Sequence, residues 1–470
     1  MTEASRQPEL YVEIERRGPE SLRSQLVVQL RSAIREGRLP PDERLPSSRR
    51  LAFDLGVSRG VVSDAYSQLV AEGYIEQSQG ALPRVRHLPD QNPLEPVSSS
   101  ERTHRYELVG TVPDLRLFPR REWLAALRES IKTIPDAELN YGDRRGTETV
   151  RQTLAAYLGR VRGVSAAAET TFVTNGYTQA LSLLCRVLAR SGARRIAVEN
   201  PSDDDQWDVI RRAGLDPVPC PVDEHGIHVA TVDAEDVDAV VVTPAHQFPT
   251  GAVLAPDRRA ELAAWAHAND RLIIEDDYDS AYRYDRDPVG TLQGLAPDHC
   301  AHIGSVSKLL APTLRIGWAV VPPRFMTELT RERWATDGGH RAIDQYAFSL
   351  FIGSGALDRH LRRSRQAYRQ RQLKLVDRLT SEIPEAKVDG IAAGLHFVLR
   401  LPDNTSETDV VSRLKEGGIF VRGLASYQLT SFSSEPALVI GYGSLVDAAI
   451  PDVSAQIASA VRNSQAALTS

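Results

Sequence analysis

Leu22, Leu26, Leu30 and Ile34 recur at helical spacing over residues 21–36, and Gly37 ends the pattern, which predicts an amphipathic helix. Residues 45–56 read as a short capped helix stopped by Gly56. Val57-Ser58 is then a tight link, with Ser58 placed to cap a third helix carrying Val61, Val62, Ala65, Tyr66, Leu69 and Val70. Gly73 closes that helix, and residues 74–76 and 83–85, separated around Gly80, form a two-stranded wing. Two short helices about a glycine-containing turn are a helix-turn-helix, although the pattern alone also fits a plain helical bundle. Three prolines and a serine run over residues 88–105 predict a semi-extended linker after a first domain at 1–87.

From residue 106 onward the period changes. Apolar strand-like runs alternate with helical patterns: 171–174 then 177–190, 195–198 then 205–213, 239–243 then 257–268, then 271–275, 301–303 and 316–321. That alternation predicts an α/β fold with a mainly parallel sheet covered on both faces, its ligands at the carboxyl ends of the strands. The large part spans about 106–355, and a smaller α+β part spans about 356–470. Residues 358–371 form a cationic helix that could meet nucleic acid; a solvated face leading into the smaller part is the preferred reading.

Composition narrows the class. A hydrophobic content of 42% and a charged content of 25% suit a soluble globular protein. The net charge of −6 gives no general attraction to nucleic acid, and residues 1–88 hold 13 arginines and no lysine against 12 acids. Any DNA contact must therefore depend on where the arginines lie. Cys185, Cys220 and Cys300 form neither a disulfide framework nor a metal-ligand spacing, and read as buried thiols in a reducing cytoplasm. The N-terminus is polar, without a signal sequence, and no apolar run approaches the ~18 residues of a membrane span. The expected location is cytoplasmic.

The chemistry concentrates at residues 303–318. Lys308 follows Ser305 and Ser307, and Arg315 lies seven residues further on. Hydroxyls and a guanidinium suit a phosphate monoester, and an amine beside them can condense with an aldehyde. Only five of the 56 basic residues are lysines, which weakens the alternative of one solvated lysine among many. Residues 272–279 form an apolar run ending in carboxylates and a phenol. Asp276 can hold a pyridine nitrogen protonated, and Tyr278 can hydrogen-bond the ring's 3-oxygen. Alone, such a cluster also fits a solvated loop or a magnesium site. With Lys308 it describes a place for pyridoxal 5′-phosphate (PLP). Gly176, Tyr177 and Thr178 follow a strand and open a helix, so their free amides form an anion seat.

Three resemblances extend this. Residues 38–80 closely resemble the winged helix-turn-helix of GntR-type bacterial regulators. The resemblance implies that Arg49 meets the DNA backbone, and that Ser58, Arg59 and Ser63 begin a recognition helix in the major groove. It sets Gln79 and Gly80 at a wing tip near the minor groove and makes Arg59 the candidate reader of guanine. Pro41-Asp42 and the wing sequence depart from the family pattern. From residue 106 the chain resembles the fold-type-I aminotransferases. That likeness implies a phosphate loop at 173–181 and a ring contact by His246, for which a structural histidine is the alternative. It also implies that Tyr141 reaches the phosphate in a neighbouring subunit, an ordinary turn tyrosine being the alternative. The whole chain resembles the MocR group within the GntR family. This implies a head-to-tail homodimer, each reader packed on the other subunit's large domain, that binds double-stranded DNA and controls transcription through PLP, sometimes with an amino compound.

The departures bear on the effector. The pocket tyrosine of the family is lost at Ser202-Asp203, Asp205 stands where GABA-responsive members carry an arginine, and residues 435–442 lack the second carboxylate-binding arginine. Amino acids with free carboxylates should bind poorly, so residual transamination at most is expected. The leading expectation is a sensor of PLP that controls vitamin B6 supply. A sensor of a cationic amine, a working aminotransferase and a dimerisation scaffold are the rivals.

Overall fold

A computed structural model describes residues 12–16, 19–78, 81–87, 104–284, 290–339, 341–390, 393–430 and 435–469. Gln79, Gly80 and all but the last two positions of the expected linker lie outside the described residues. The chain divides into two compact units, Met1–Glu101 and Arg102–Ser470. No helix among the described residues is long and apolar enough to cross a membrane.

In the first unit, helices Leu22–Arg35, Ser48–Leu55 and Arg59–Ala71 precede antiparallel strands Ile75–Glu76 and Arg84–Val85. Ser21, Ser47 and Ser58 each cap a helix by accepting a hydrogen bond from the backbone three residues on. Gly56 ends the second helix at φ 63°, a conformation that glycine adopts without strain. The three helices close over Leu26, Leu30, Leu45, Val62, Ala65 and Leu69, all fully buried. The helix-turn-helix with its wing replaces the plain bundle that the pattern alone allowed.

The second unit is built on an eight-stranded mixed sheet. Its spatial order is Thr171–Thr174, Gly317–Val320, Cys300–Ser305, Leu272–Asp276, Ala239–Val242, Arg195–Asn200, Asp216–Asp223 and Gly226–Ile227. The run from Cys300–Ser305 to Asp216–Asp223 is parallel, while Gly317–Val320 pairs antiparallel with both neighbours. A second, four-stranded sheet lies in the C-terminal part. Apolar strand residues are buried on both faces, as a helix-covered parallel sheet requires.

Two findings differ from the sequence reading. Asp216–Asp223 is a strand despite Pro217, Pro219 and Pro221. Alternation sets all three missing N–H groups on the edge away from Arg195–Asn200, where the Pro221 carbonyl accepts from His228 N–H at 3.0 Å. The cationic helix, Ala356–Glu382, is also less solvated than expected. Its Arg371 is buried against Asp114, Nη2 to Oδ2 at 2.9 Å, and also donates to backbone carbonyls.

Candidate functional site

Four strand ends meet along one rim of the large sheet. Ile303 is in register with Asp276, and Gly317 is in register with both Ser305 and Thr174. The loops leaving this rim carry most of the sequence-predicted residues. Gly176 caps helix Tyr177–Arg190 at φ 111° with no side-chain cap, which leaves the amides of the first turn available. An added Cβ at Gly317 would come within 2.6 Å of the Gly176 Cα, so Gly317 is needed for the two loops to approach, while Gly176 is needed for its positive φ. The Arg315 guanidinium lies over Gly176, its Nη2 3.3 Å from where a Cβ would sit. Ser305 is buried beside it, and its Oγ accepts from Ser307 N–H at 3.4 Å. Anion donors therefore gather at one end of the rim.

Lys308 stands in the turn after this strand, half-buried, with no ion pair or hydrogen bond among the described residues. Burial pulls its ammonium below the ordinary lysine range, while Asp203, Asp276 and Asp279 act in the opposite sense. Asp276 ends the central strand. Burial, reinforced by the charges of Asp277, Asp203 and Asp279, holds its carboxyl well above the usual carboxylate range. Its Oδ1 is buried and has no hydrogen-bond partner among the described residues. Such an orphan acceptor is costly unless a donor arrives. Neighbouring Asp277 is satisfied, receiving Arg162 Nε at 2.8 Å and Nη2 at 3.1 Å.

The Tyr278 hydroxyl donates to the His246 carbonyl oxygen at 2.9 Å and lies 3.1 Å from His246 Nδ1. Asp279 Oδ2 is 2.9 Å from the same Nδ1. The phenol expected to face a ring oxygen thus has its one proton on the backbone. Asp279 and the buried His396 beside His246 carried no assignment in the sequence reading; a carboxylate next to a phenol and a histidine after Gly394 were the available signals. Tyr141 is 81% exposed and lines an open cavity of about 720 Å³ together with Arg315. Lys308 is not among the residues lining that cavity. Glu199, also missed, is buried on Thr243 and Gln247.

The acidic turn after Glu199 is partly neutralised from within. Asp203 caps helix Asp204–Arg212, and Asp204 receives both Arg422 Nη atoms at 2.9 Å. Arg422 was not anticipated. Its Nε and Nη2 are further occupied by Ser426, so it is committed to the fold.

In the first unit, Arg49, Ser58, Arg59 and Ser63 are all exposed. The Ser58 Oγ is engaged in capping, while Arg49 and Arg59 meet no carboxylate among the described residues.

The second unit has the aminotransferase fold. Kynurenine aminotransferase of Pyrococcus horikoshii matches it with a TM-score of 0.69 at 23% identity, over 76% of this chain and 90% of that one. An archaeal alanine:glyoxylate aminotransferase gives 0.70 at 23%, over 76% and 91%. Residues 110–435 match the family described as aminotransferase class I and II, and residues 22–90 match the bacterial regulatory proteins of the gntR family. The chain belongs to the MocR-type transcriptional regulators of the GntR family. It is 35% identical over 450 residues to the HTH-type pyridoxine biosynthesis transcriptional regulator PdxR of Corynebacterium glutamicum, covering 94% of this chain and 96% of that protein. It is 30% identical over 446 residues to the probable rhizopine catabolism regulatory protein MocR of Rhizobium meliloti, covering 90% of each.

Proposed function

We propose that this regulator holds PLP at Lys308, responds to PLP itself, and adjusts vitamin B6 supply. The observation that carries the reading is the buried, unpartnered Oδ1 of Asp276 on the same rim as a lysine whose burial favours the neutral amine. A pyridine N–H supplies the donor that this oxygen lacks, so the residues fit the group. When bound, the coenzyme supplies an aldehyde and an electron-withdrawing ring. Lys308 offers the amine, and Asp276 keeps the ring nitrogen protonated. Ser305, Ser307, Arg315, Gly176 and the amides of Tyr177 and Thr178 hold the phosphate. His246 and Tyr278 line the ring's oxygen side. In a head-to-tail homodimer, Tyr141 reaches the partner's phosphate.

Two observations favour PLP over an amino acid as the effector. Arg422, the guanidinium at the acidic turn, is already bound to Asp204. Val439 and its neighbours on strand Ala437–Gly441 are buried and apolar, leaving no cation there for a carboxylate. A cationic amine is the second reading, favoured by Asp203, whose charge is felt at Lys308. The DNA reader would use Arg49 on the backbone and Arg59 on a base, with Ser58 and Ser63 at the start of the recognition helix. PLP binding then biases a dimer equilibrium that the operator reads.

The test titrates PLP into purified full-length protein and into Lys308→Ala. We expect a visible absorbance band and borohydride-fixed mass on Lys308 in the wild type, neither in the variant, and a changed footprint upstream of the protein's own gene when PLP is added. A rapid band change on adding GABA or glutamate would refute the PLP-sensor reading, and one on adding a diamine would establish the amine reading instead.

A further inference from the structure

Behind the phenol of Tyr278 lies a buried polar cluster of which the proposed function uses only His246. His246 and Asp279 are 3% and 2% exposed, and His396 is 1% exposed with its ring 5.0 Å from that of His246. Two glycines shape the place. A Cβ on Gly394 would come within 2.4 Å of both Asp279 Oδ2 and His246 Cε1, and one on Gly251 would come within 3.4 Å of His246 Nε2. The imidazole is therefore confined to its observed orientation.

We infer that Asp279 is a positioning residue: by keeping the proton of His246 on Nδ1, it frees the proton of Tyr278 for the 3-oxygen of a bound pyridoxal. The inference rests on PLP occupying the site. With Asp279 Oδ2 as the acceptor, its 2.9 Å contact with His246 Nδ1 places a proton on that nitrogen. The same N–H lies 3.1 Å from Tyr278 Oη and can serve both acceptors. The phenol now donates to the His246 carbonyl at 2.9 Å. When it turns its proton toward a ring oxygen, Oη keeps the Nδ1–H as its own donor, and the His246 carbonyl gives up the phenol as its donor in exchange.

Without the carboxylate the histidine proton can move to Nε2. The bare Nδ1 lone pair then competes for the phenol's proton, and the 3-oxygen loses its donor. The charged or titratable groups facing His246 are Tyr278, Asp279 and His396, with Arg162 and Arg283 across a cavity of about 10 Å³. His396 donates its Nε2–H to the Pro249 carbonyl at 3.1 Å, and burial keeps it neutral by holding its pKa well below the usual range. Nitrogen and oxygen atoms of His246, Asp279 and His396 also lie within 4.8 Å of one another, close enough for a metal ion. The Nδ1 proton argued here is incompatible with metal ligation through that atom.

The experiment follows the pH midpoint of the visible band in PLP-loaded full-length protein. Asp279→Asn should raise it by about one pH unit, the scale of one lost hydrogen bond to a charged group. On a Tyr278→Phe background the same substitution should add nothing. His246→Asn, whose amide can donate from the place of Nδ1, should restore the midpoint when combined with Asp279→Asn. It also tests the idea if Asp279→Asn alone does not fold. An equal shift on both backgrounds, no rescue by His246→Asn, or stoichiometric zinc in the purified protein would overturn the assignment. A wild type lacking the band would overturn the assignment and the PLP reading together; a wild type with the band and an unmoved variant would overturn the assignment alone.

Discussion

Glu199 receives three donors on a single oxygen: Thr243 N–H at 3.2 Å, the Thr243 hydroxyl at 2.5 Å and Gln247 Nε2–H at 3.2 Å. Even so, burial raises its carboxyl to about 7. A group whose folded pKa lies above its unfolded value binds more protons when folded. The stability it contributes is fully present below the unfolded pKa near 4.5 and is lost as pH rises through about 7. Glu199→Gln keeps the acceptor and removes the titration. The variant should be nearly level in stability from pH 5 to 8, where the wild type declines by about 3 kcal/mol at most. Chemical denaturation at several pH values reads this, and parallel curves for the two proteins would reject it. This residue was illegible in sequence because its behaviour comes from burial among strand ends brought together by the fold. Lys308 and Asp276 were legible because scarcity, spacing and residue type had already marked them. The tie between Asp279 and His246 was not, since the two residues are 33 positions apart in sequence.

At the scale of elements, the helix-turn-helix could be read almost residue by residue, because its three serine caps and the glycine stop at Gly56 are local signals. The prolyl strand Asp216–Asp223 could not be read that way. Whether proline breaks a strand depends on which edge is paired, and that is a property of the sheet. The proposed DNA reader separates two kinds of contact. Arg59→Ala, at the start of the exposed recognition helix, should weaken operator binding by about 1–3 kcal/mol and relax preference at one base pair. Arg49→Ala should weaken operator and random DNA alike and reduce the salt slope by about one. Binding isotherms at several salt concentrations separate these outcomes. Equal loss on operator and random DNA for Arg59→Ala would remove it from base reading.

For the whole molecule, the decisive surface is an apolar face that one chain leaves open. Helix Arg120–Thr133 exposes Leu124 at 46% and Ile131 at 61%, seven residues apart and so on one face. Helix Ala342–Gly353 exposes Ile343 and Leu350 at 36% each, again seven apart, and Ser130 Oγ–H bonds the Ile343 carbonyl at 2.7 Å, joining the two helices. Exposed apolar side chains of this size suit an interface, and a second copy of the chain is the occupant proposed above. Leu139 at 57% and Tyr141 at 81% are exposed as well and line the cavity that holds Arg315. If the second copy covers it, assembly and cofactor binding would be linked, because the proposed role of Tyr141 is to complete the partner's phosphate site. Replacing Ile131 by Asp buries a charge in that interface. The dimer dissociation constant in sedimentation should then rise by about 100-fold or more, matching the ~3 kcal/mol of a central contact. PLP should restore the dimer by mass action, and the monomer should hold PLP more weakly. Tyr141→Phe should weaken PLP binding without changing assembly, which separates the phosphate contact from the packing. A wild-type protein that sediments as a monomer at micromolar concentration, with PLP bound at full affinity, would show that each site is complete within one chain.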